Sequence, residues 1–303
     1  MITDAGARKG VIFGLCAYLC WGFLPVYFKL LGGVLPTEVV AQRVLWSVLL
    51  MAVLIAGTRR WTQLRAALSN PVALRILAAS ALLIAINWLV YIWAIGANRV
   101  LETSLGSFLN PLVNVVMGVL LLSERLTRAQ GIAVGLAAVG VLVLAIGAAS
   151  GLWISLALAL SFATYGLLRK IAPVESLEGL TVETLLLAPA AAVYLFWLSR
   201  TGGIAFGTGF EVSWLLALGG VVTAVPLLLF AAAARRLRYS TLGLLQYVAP
   251  TIQFLLAVLV YGEPLTTAHL ICFGAIWTGL AIYAADGLWR RPSAATAPAA
   301  SQA

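Results

Sequence analysis

The chain has 303 residues, of which 63% are hydrophobic and only 10% charged. A soluble domain carries roughly 25% charged residues, so this composition cannot cover a water-facing surface and excludes an ordinary soluble fold. The net charge of +9 would suggest a nucleic-acid partner in a soluble protein, but its placement along the chain argues for membrane topology instead.

From the N-terminus onward, apolar blocks of about 20 residues, the length that crosses a hydrocarbon core, follow one another with short connections. They run over 10–31, 36–57, 72–97, 101–122, 129–147, 151–171, 179–198, 213–234, 241–261 and 268–289, ten in all. The expected fold class is an all-α polytopic membrane protein with ten transmembrane helices and no soluble catalytic domain. The first block follows Arg8-Lys9, exceeds the usual signal-peptide core of about 7–15 residues and lacks a small-x-small cleavage site, so it is read as an uncleaved helix.

Helical spacing sorts the polar and aromatic residues of each block. Block one carries Tyr18, Trp21 and Pro25 at i, i+3, i+7, with Cys16 and Cys20 read as small packing residues, like Cys272 in block ten. Block two holds Glu38 and, five residues later, Arg43; block three pairs Asn87 with Tyr91 at i, i+4. Glu102 opens block four, where Thr103, Ser107, Asn110 and Asn114 form one stripe beside Pro111. Block six pairs Ser161 with Tyr165, block seven contains Glu183 and Pro189, block eight Pro226, and block nine Gln246, Pro250 and Gln253.

Lipid cannot satisfy amide and hydroxyl groups, so the stripes face either a hydrated cavity or neighbouring helices as hydrogen-bonding glue. The candidate substrate-binding residues are Tyr18, Trp21, Asn87, Tyr91, Ser107, Asn110, Asn114, Tyr165, Gln246 and Gln253. Pro25, Pro111 and Pro250 are candidate hinges, because each removes a helical N–H and frees the carbonyl four residues back. Arg43 is expected to pair with a carboxylate, Glu38 or Glu102 being nearest in depth; ligand recognition and ion coupling are the other readings. Glu38, Glu102 and Glu183 are the candidate proton-coupling groups. No Walker motif and no zinc-protease HExxH is present, and His269 is the single histidine, so no metal, cofactor or catalytic residue is expected and the chain is read as not an enzyme.

With the N-terminus cytoplasmic, 15 of the 19 basic residues fall on the cytoplasmic side, which is the bias expected when both termini are inside. The chain also repeats itself. Aligning Pro111 with Pro250, an offset of 139, places Glu124 on Glu263, Arg99 on Arg238, Ser107 on Gln246, Asn114 on Gln253, Gly135 on Gly274 and Gly140 on Gly279. The duplication divides the chain into 1–150 and 151–289, five helices each, followed by a disordered cytoplasmic tail over 290–303. Five is odd, so the second copy enters the membrane from the opposite side; such inverted repeats build secondary transporters with the substrate site where the copies meet. Glu124 and Glu263 are expected to cap the helix that follows each of them. Gly10-x-x-x-Gly14 and Gly131-x-x-x-Gly135 read as close helix-packing surfaces.

The segments AYLCWGFLPVYFKL, QRVLWS, NWLVYIWA, LETSLGSFLNPLVN, YGLLRK and RLRYSTLGLLQYVAPTIQFLLAVLVYGE resemble the drug/metabolite transporter superfamily, and within it the EamA-type transporters of the RarD branch. The likeness extends over residues 8–289. It implies two inverted EamA repeats, a bacterial inner-membrane location and export or exchange of small molecules by alternating access. Partners are then a small amphipathic metabolite, amino-acid-like compound or drug, membrane lipid and, for coupling, protons; the oligomeric state is left open. An intramembrane enzyme or a non-transporting receptor or scaffold is the alternative.

Overall fold

The computed structural model describes residues 4–97, 99–146, 152–262 and 267–289. Its helices, in chain order, are α1 (Asp4–Gly22), α2 (Leu24–Leu30), α3 (Pro36–Gly57), α4 (Trp61–Ser69), α5 (Pro71–Gly96), α6 (Val100–Leu121), α7 (Arg128–Ile146), α8 (Leu152–Ile171), α9 (Ser176–Arg200), α10 (Phe210–Ala234), α11 (Tyr239–Gln246), α12 (Val248–Leu255) and α13 (Thr267–Trp289). Among the described residues ten segments are long and apolar enough to cross a membrane, with α1–α2 and α11–α12 each forming one span. The expected tail and Glu263 lie outside the described residues.

Two spans are interrupted where the sequence places proline near a turn. Pro25 sits at the start of α2, just after the break at Phe23. Pro250 lies in the first turn of α12, just after the break at Tyr247. Pro111, the counterpart of Pro250, stays inside the continuous helix α6. The two copies thus share a sequence pattern and differ in shape. The span ends with a π-helical turn over Leu256–Val260.

Helix α4 is absent from the ten expected blocks. It is short and amphipathic, burying Leu64 and Ala67 while Trp61 stays exposed. The Asn70-Pro71 pair that follows is a start signal: the Asn70 Oδ1 accepts from the N–H groups of Val72 and Ala73, both at 3.0 Å, with proline at the first helical position where no N–H is needed.

Large apolar side chains such as Leu120, Leu142, Val193 and Phe196 point outward, whereas Glu38, Arg43, Ser80, Asn114, Arg169 and Glu183 are buried. In lipid the hydrophobic effect does not penalise that outer face, and polar groups must find partners within the bundle. Helices of the two copies interleave: α7 lies along α13, α6 along α11, and α3 along α9, while α1 packs on α10 and α5 on α8.

The α7–α13 contact shows the two-fold relation directly. A Cβ on Gly140 would stand 2.9 Å from the Cys272 carbonyl oxygen, and one on Gly279 would stand 2.7 Å from that of Ala133. Both glycines and both neighbours are related by the 139-residue offset. By contrast, Gly131 and Gly135 have nothing within 4 Å, so the close-packing expectation fails for that pair, while Gly10 does meet Arg236 and Leu237 at 2.9 Å. Gly140→Leu and Gly279→Leu should each destabilise the protein by about 1–3 kcal/mol or more, since the obstructing atoms are backbone and cannot rotate away. Gly135→Leu should be near neutral; thermal melts of the three variants in detergent provide the check.

Candidate functional site

Between the two copies lies a cavity of about 440 Å³, lined from α1, α2, α3, α5, α6, α8, α10, α11 and α12. That volume falls in the range of small-molecule sites, about 300–1,000 Å³. Its walls are mostly apolar and aromatic, including Trp21, Phe28, Trp88 and Phe162, with a few amides and hydroxyls among them.

Eight of the ten residues singled out from spacing line this cavity: Tyr18, Trp21, Asn87, Tyr91, Ser107, Asn110, Gln246 and Gln253. Asn114 lies beneath it, fully buried. Tyr165 sits behind the wall, stacked on Phe230 with ring centroids 6.1 Å apart. Both replies to the spacing argument are therefore present on one stripe, since α6 sends Ser107 and Asn110 to the cavity and Asn114 to a neighbouring helix.

The hydrogen bonds show how the freed carbonyls are used. Pro25 cannot donate to the Trp21 carbonyl four residues back, and the Gln253 Nε2 donates to it at 2.9 Å. A side chain of the second copy thereby closes the gap that a proline opens in the first. Asn87 Nδ2 donates to the Leu158 carbonyl and to Ser161 Oγ, both at 2.9 Å, tying α5 to α8. Asn110, only 6% exposed, has no partner for its Oδ1 among the described residues.

One end of the cavity is sealed. There the Asn114 Nδ2 donates to Gln246 Oε1 at 2.7 Å, and Tyr18 Oη donates to the Leu242 carbonyl at 3.2 Å. A Cβ on Gly243 would lie 2.7 Å from the Pro111 carbonyl, so α6 and α11 touch through backbone. Below them Glu124 accepts from the N–H of Tyr239 at 2.5 Å, and from the N–H and Oγ of Ser240 at 2.9 and 2.6 Å. Glu124 was expected to cap the next helix, α7. It caps α11 instead, because α7 already carries its own box: Gln130 N donates to Thr127 Oγ1 at 3.1 Å and Thr127 N to Gln130 Oε1 at 3.0 Å. Around this sealed end cluster the Arg60–Glu178, Arg235–Glu175 and Arg238–Glu124 ion pairs. Lys170 adds two bonds, to the carbonyls of Ala234 and Leu237.

The expected partners of Arg43 are engaged elsewhere. Glu38 accepts from the backbone N–H groups of Ala205 and Phe206 at 2.9–3.0 Å. At five residues' separation it lies about 140° around the helix from Arg43, so the two cannot share a face. Glu102 pairs with Arg99 at 3.2 Å. Glu183 accepts from Ser80 Oγ and faces Arg169 at 3.6 Å. Arg43 itself, 8% exposed, donates from Nε to Thr223 Oγ1 at 2.5 Å and makes no ion pair among the described residues. Spacing alone missed Thr223, Phe28 and Phe162 on the cavity wall; only a Pro three residues beyond Thr223 hinted at its depth.

A bundle of ten spans, built as two inverted copies around an amide-dotted apolar cavity, has the architecture of a membrane transport protein. The comparisons specify it further. The model of the EamA-like transporter family matches residues 8–146 and again 149–285, and the chain belongs to that family. An uncharacterized transporter of Vibrio cholerae is 47% identical over 284 residues, 93% of this chain and 94% of its own length. Protein RarD of Escherichia coli is 46% identical, covering 93% of this chain and 96% of that protein. The chloramphenicol-sensitive protein RarD of Pseudomonas aeruginosa is 36% identical over 89% and 91%. A solved crystal structure superposes with a TM-score of 0.70 at 20% identity, over 94% of this chain and 99% of that one, which shows the shared fold. The resemblance to the RarD branch is thereby confirmed, and the chain is a multi-pass membrane protein.

Proposed function

We propose that the protein is a secondary active carrier that exports or exchanges small amphipathic solutes by alternating access across a bacterial plasma membrane. The observation that carries this reading is a cavity between the repeats that ends at the contact between equivalent helices, α6 and α11, and reaches the other way to the α2–α3 connection at Leu31, Val34 and Pro36. Asn114 meets Gln246 at the closed end. Their counterparts, Gln253 and Ser107, both face the cavity, and Gln253 is held by the Trp21 carbonyl. Exchanging the roles of the two copies would bring Ser107 to Gln253 and part Asn114 from Gln246, giving the second access state. The closed end carries the basic residues, so the positive-inside rule makes it cytoplasmic and the structure outward-open, with both termini inside. The names of the relatives, transporters among them, agree with this reading.

The test uses single cysteines in a chain freed of Cys16, Cys20 and Cys272. Ser107→Cys should react with an impermeant maleimide from outside, Ser240→Cys more slowly from inside, and a bulky adduct at one should suppress labelling at the other. Independent labelling at both positions would mean a channel. A Ser240 position that never reacts would mean a scaffold or receptor.

A further inference from the structure

We propose that Arg43 is the docking point for an anionic group on the transported solute, so that the cavity takes organic anions: a carboxylate or phosphate monoester on an aromatic or aliphatic body. The inference rests on the carrier reading and names its substrate class.

Among the described side chains that line the cavity Arg43 is the one that bears a charge. Its stem is given room by Gly219, where a Cβ would come within 2.8 Å of Arg43 Cγ. Its head is aimed by Thr223, which accepts from Nε while passing its own proton to the Gly219 carbonyl at 2.7 Å. The Phe28 and Trp88 rings flank the guanidinium at 5.5 and 5.4 Å, holding it as a cation between π faces. With Nε used, the two terminal nitrogens form the fork that matches a carboxylate or phosphate bidentately. No hydrogen bond to protein is made by either nitrogen, and neither is sealed from the cavity among the described residues.

An arginine held inside a membrane protein without a carboxylate is costly. Glu38, Glu102 and Glu183 are committed to Ala205 and Phe206, to Arg99, and to Ser80 and Arg169. The missing counter-charge is therefore supplied from the cavity, by the ligand. Trp21 and Phe162, whose ring centroids lie 5.5 Å apart on the cavity wall, would receive the apolar body.

The experiment measures thermal stabilisation of the purified full-length chain by three matched probes: indole-3-acetate, its neutral amide and phenyl phosphate. The two anions should stabilise at concentrations about ten- to a hundredfold lower than the amide, the range of a charge-assisted contact. Arg43→Gln should erase that preference, and Arg43→Lys should keep part of it. Thr223→Val leaves the charge in place and should weaken anion binding several-fold, so it carries the test if Arg43→Gln fails to fold. Equal binding of acid and amide, or an anion preference that survives Arg43→Gln, overturns the inference while leaving the cavity a solute site. Binding of none of the three overturns it too, and the maleimide test then decides the carrier reading separately. Arg43-dependent stabilisation by phosphatidylglycerol but not by the soluble anions would place a lipid headgroup there and overturn the solute assignment.

Discussion

Glu124→Ala is expected to unseal the basic end of the bundle rather than merely loosen the fold. The Glu124 carboxylate satisfies the first two N–H groups of α11, bonds the Ser240 hydroxyl and stands 3.8 Å from the Arg238 guanidinium. These are the N–H groups that an α-helix cannot satisfy from within. Gly118 makes the fit possible, since a Cβ there would lie 2.9 Å from the Glu124 carboxylate. Leaving such donors unpaired costs about 1–3 kcal/mol each when water is excluded. When this end opens, water reaches them and the cost disappears. The substitution therefore penalises one state and spares the other, by about 2–4 kcal/mol in the balance between them, or roughly a thirtyfold to thousandfold change in ratio. Labelling of Ser107→Cys from outside should fall steeply in the Glu124→Ala background, and Glu124→Gln should lie between. A drop in melting temperature with unchanged labelling would make Glu124 a static brace.

The second large effect concerns Arg169. It lies in the last turn of α8, and the structure buries it to 1% exposure. It faces Glu183 at 3.6 Å and donates to the Ser176 carbonyl at 3.0 Å. A Cβ on Gly179 would fall 2.0 Å from its Nη1, so the glycine is there because the guanidinium needs the space. Arg169→Met leaves Glu183 buried with Ser80 as its only close partner among the described residues, and removing one member of a buried pair costs about 3–5 kcal/mol. Removing both charges, as in Arg169→Met with Glu183→Leu, should restore most of that loss, because two apolar groups can pack where two ions had to be desolvated. Gly179→Ala should mimic Arg169→Met by displacing the guanidinium. Melting curves of the three variants decide the matter. If the double variant is as unstable as the single one, the pair supports the fold through geometry and the electrostatic account is wrong.

The spans, their number, the duplication and the orientation of the copies were legible in the sequence, because each depends on residues close together or on a fixed offset. Twenty apolar residues must form a helix in lipid, whatever surrounds them. The stripe on α6 was legible for the same reason, since spacing defines a helix face without reference to any neighbour. Which neighbour meets that face is a different question. Asn114 and Asn110 share a stripe, yet one is spent on Gln246 and the other borders the cavity. Glu124 passes over the helix that follows it and caps one 115 residues on. Gln253 fills the hydrogen-bonding gap left by Pro25, 228 residues back along the chain. Arg43 looks toward Thr223 and the cavity because Glu38, five residues away, faces around the helix to another loop. These partnerships were set when the two copies interlocked. A local pattern can say that a polar group must be satisfied, whereas the packing of distant helices chooses the group that satisfies it.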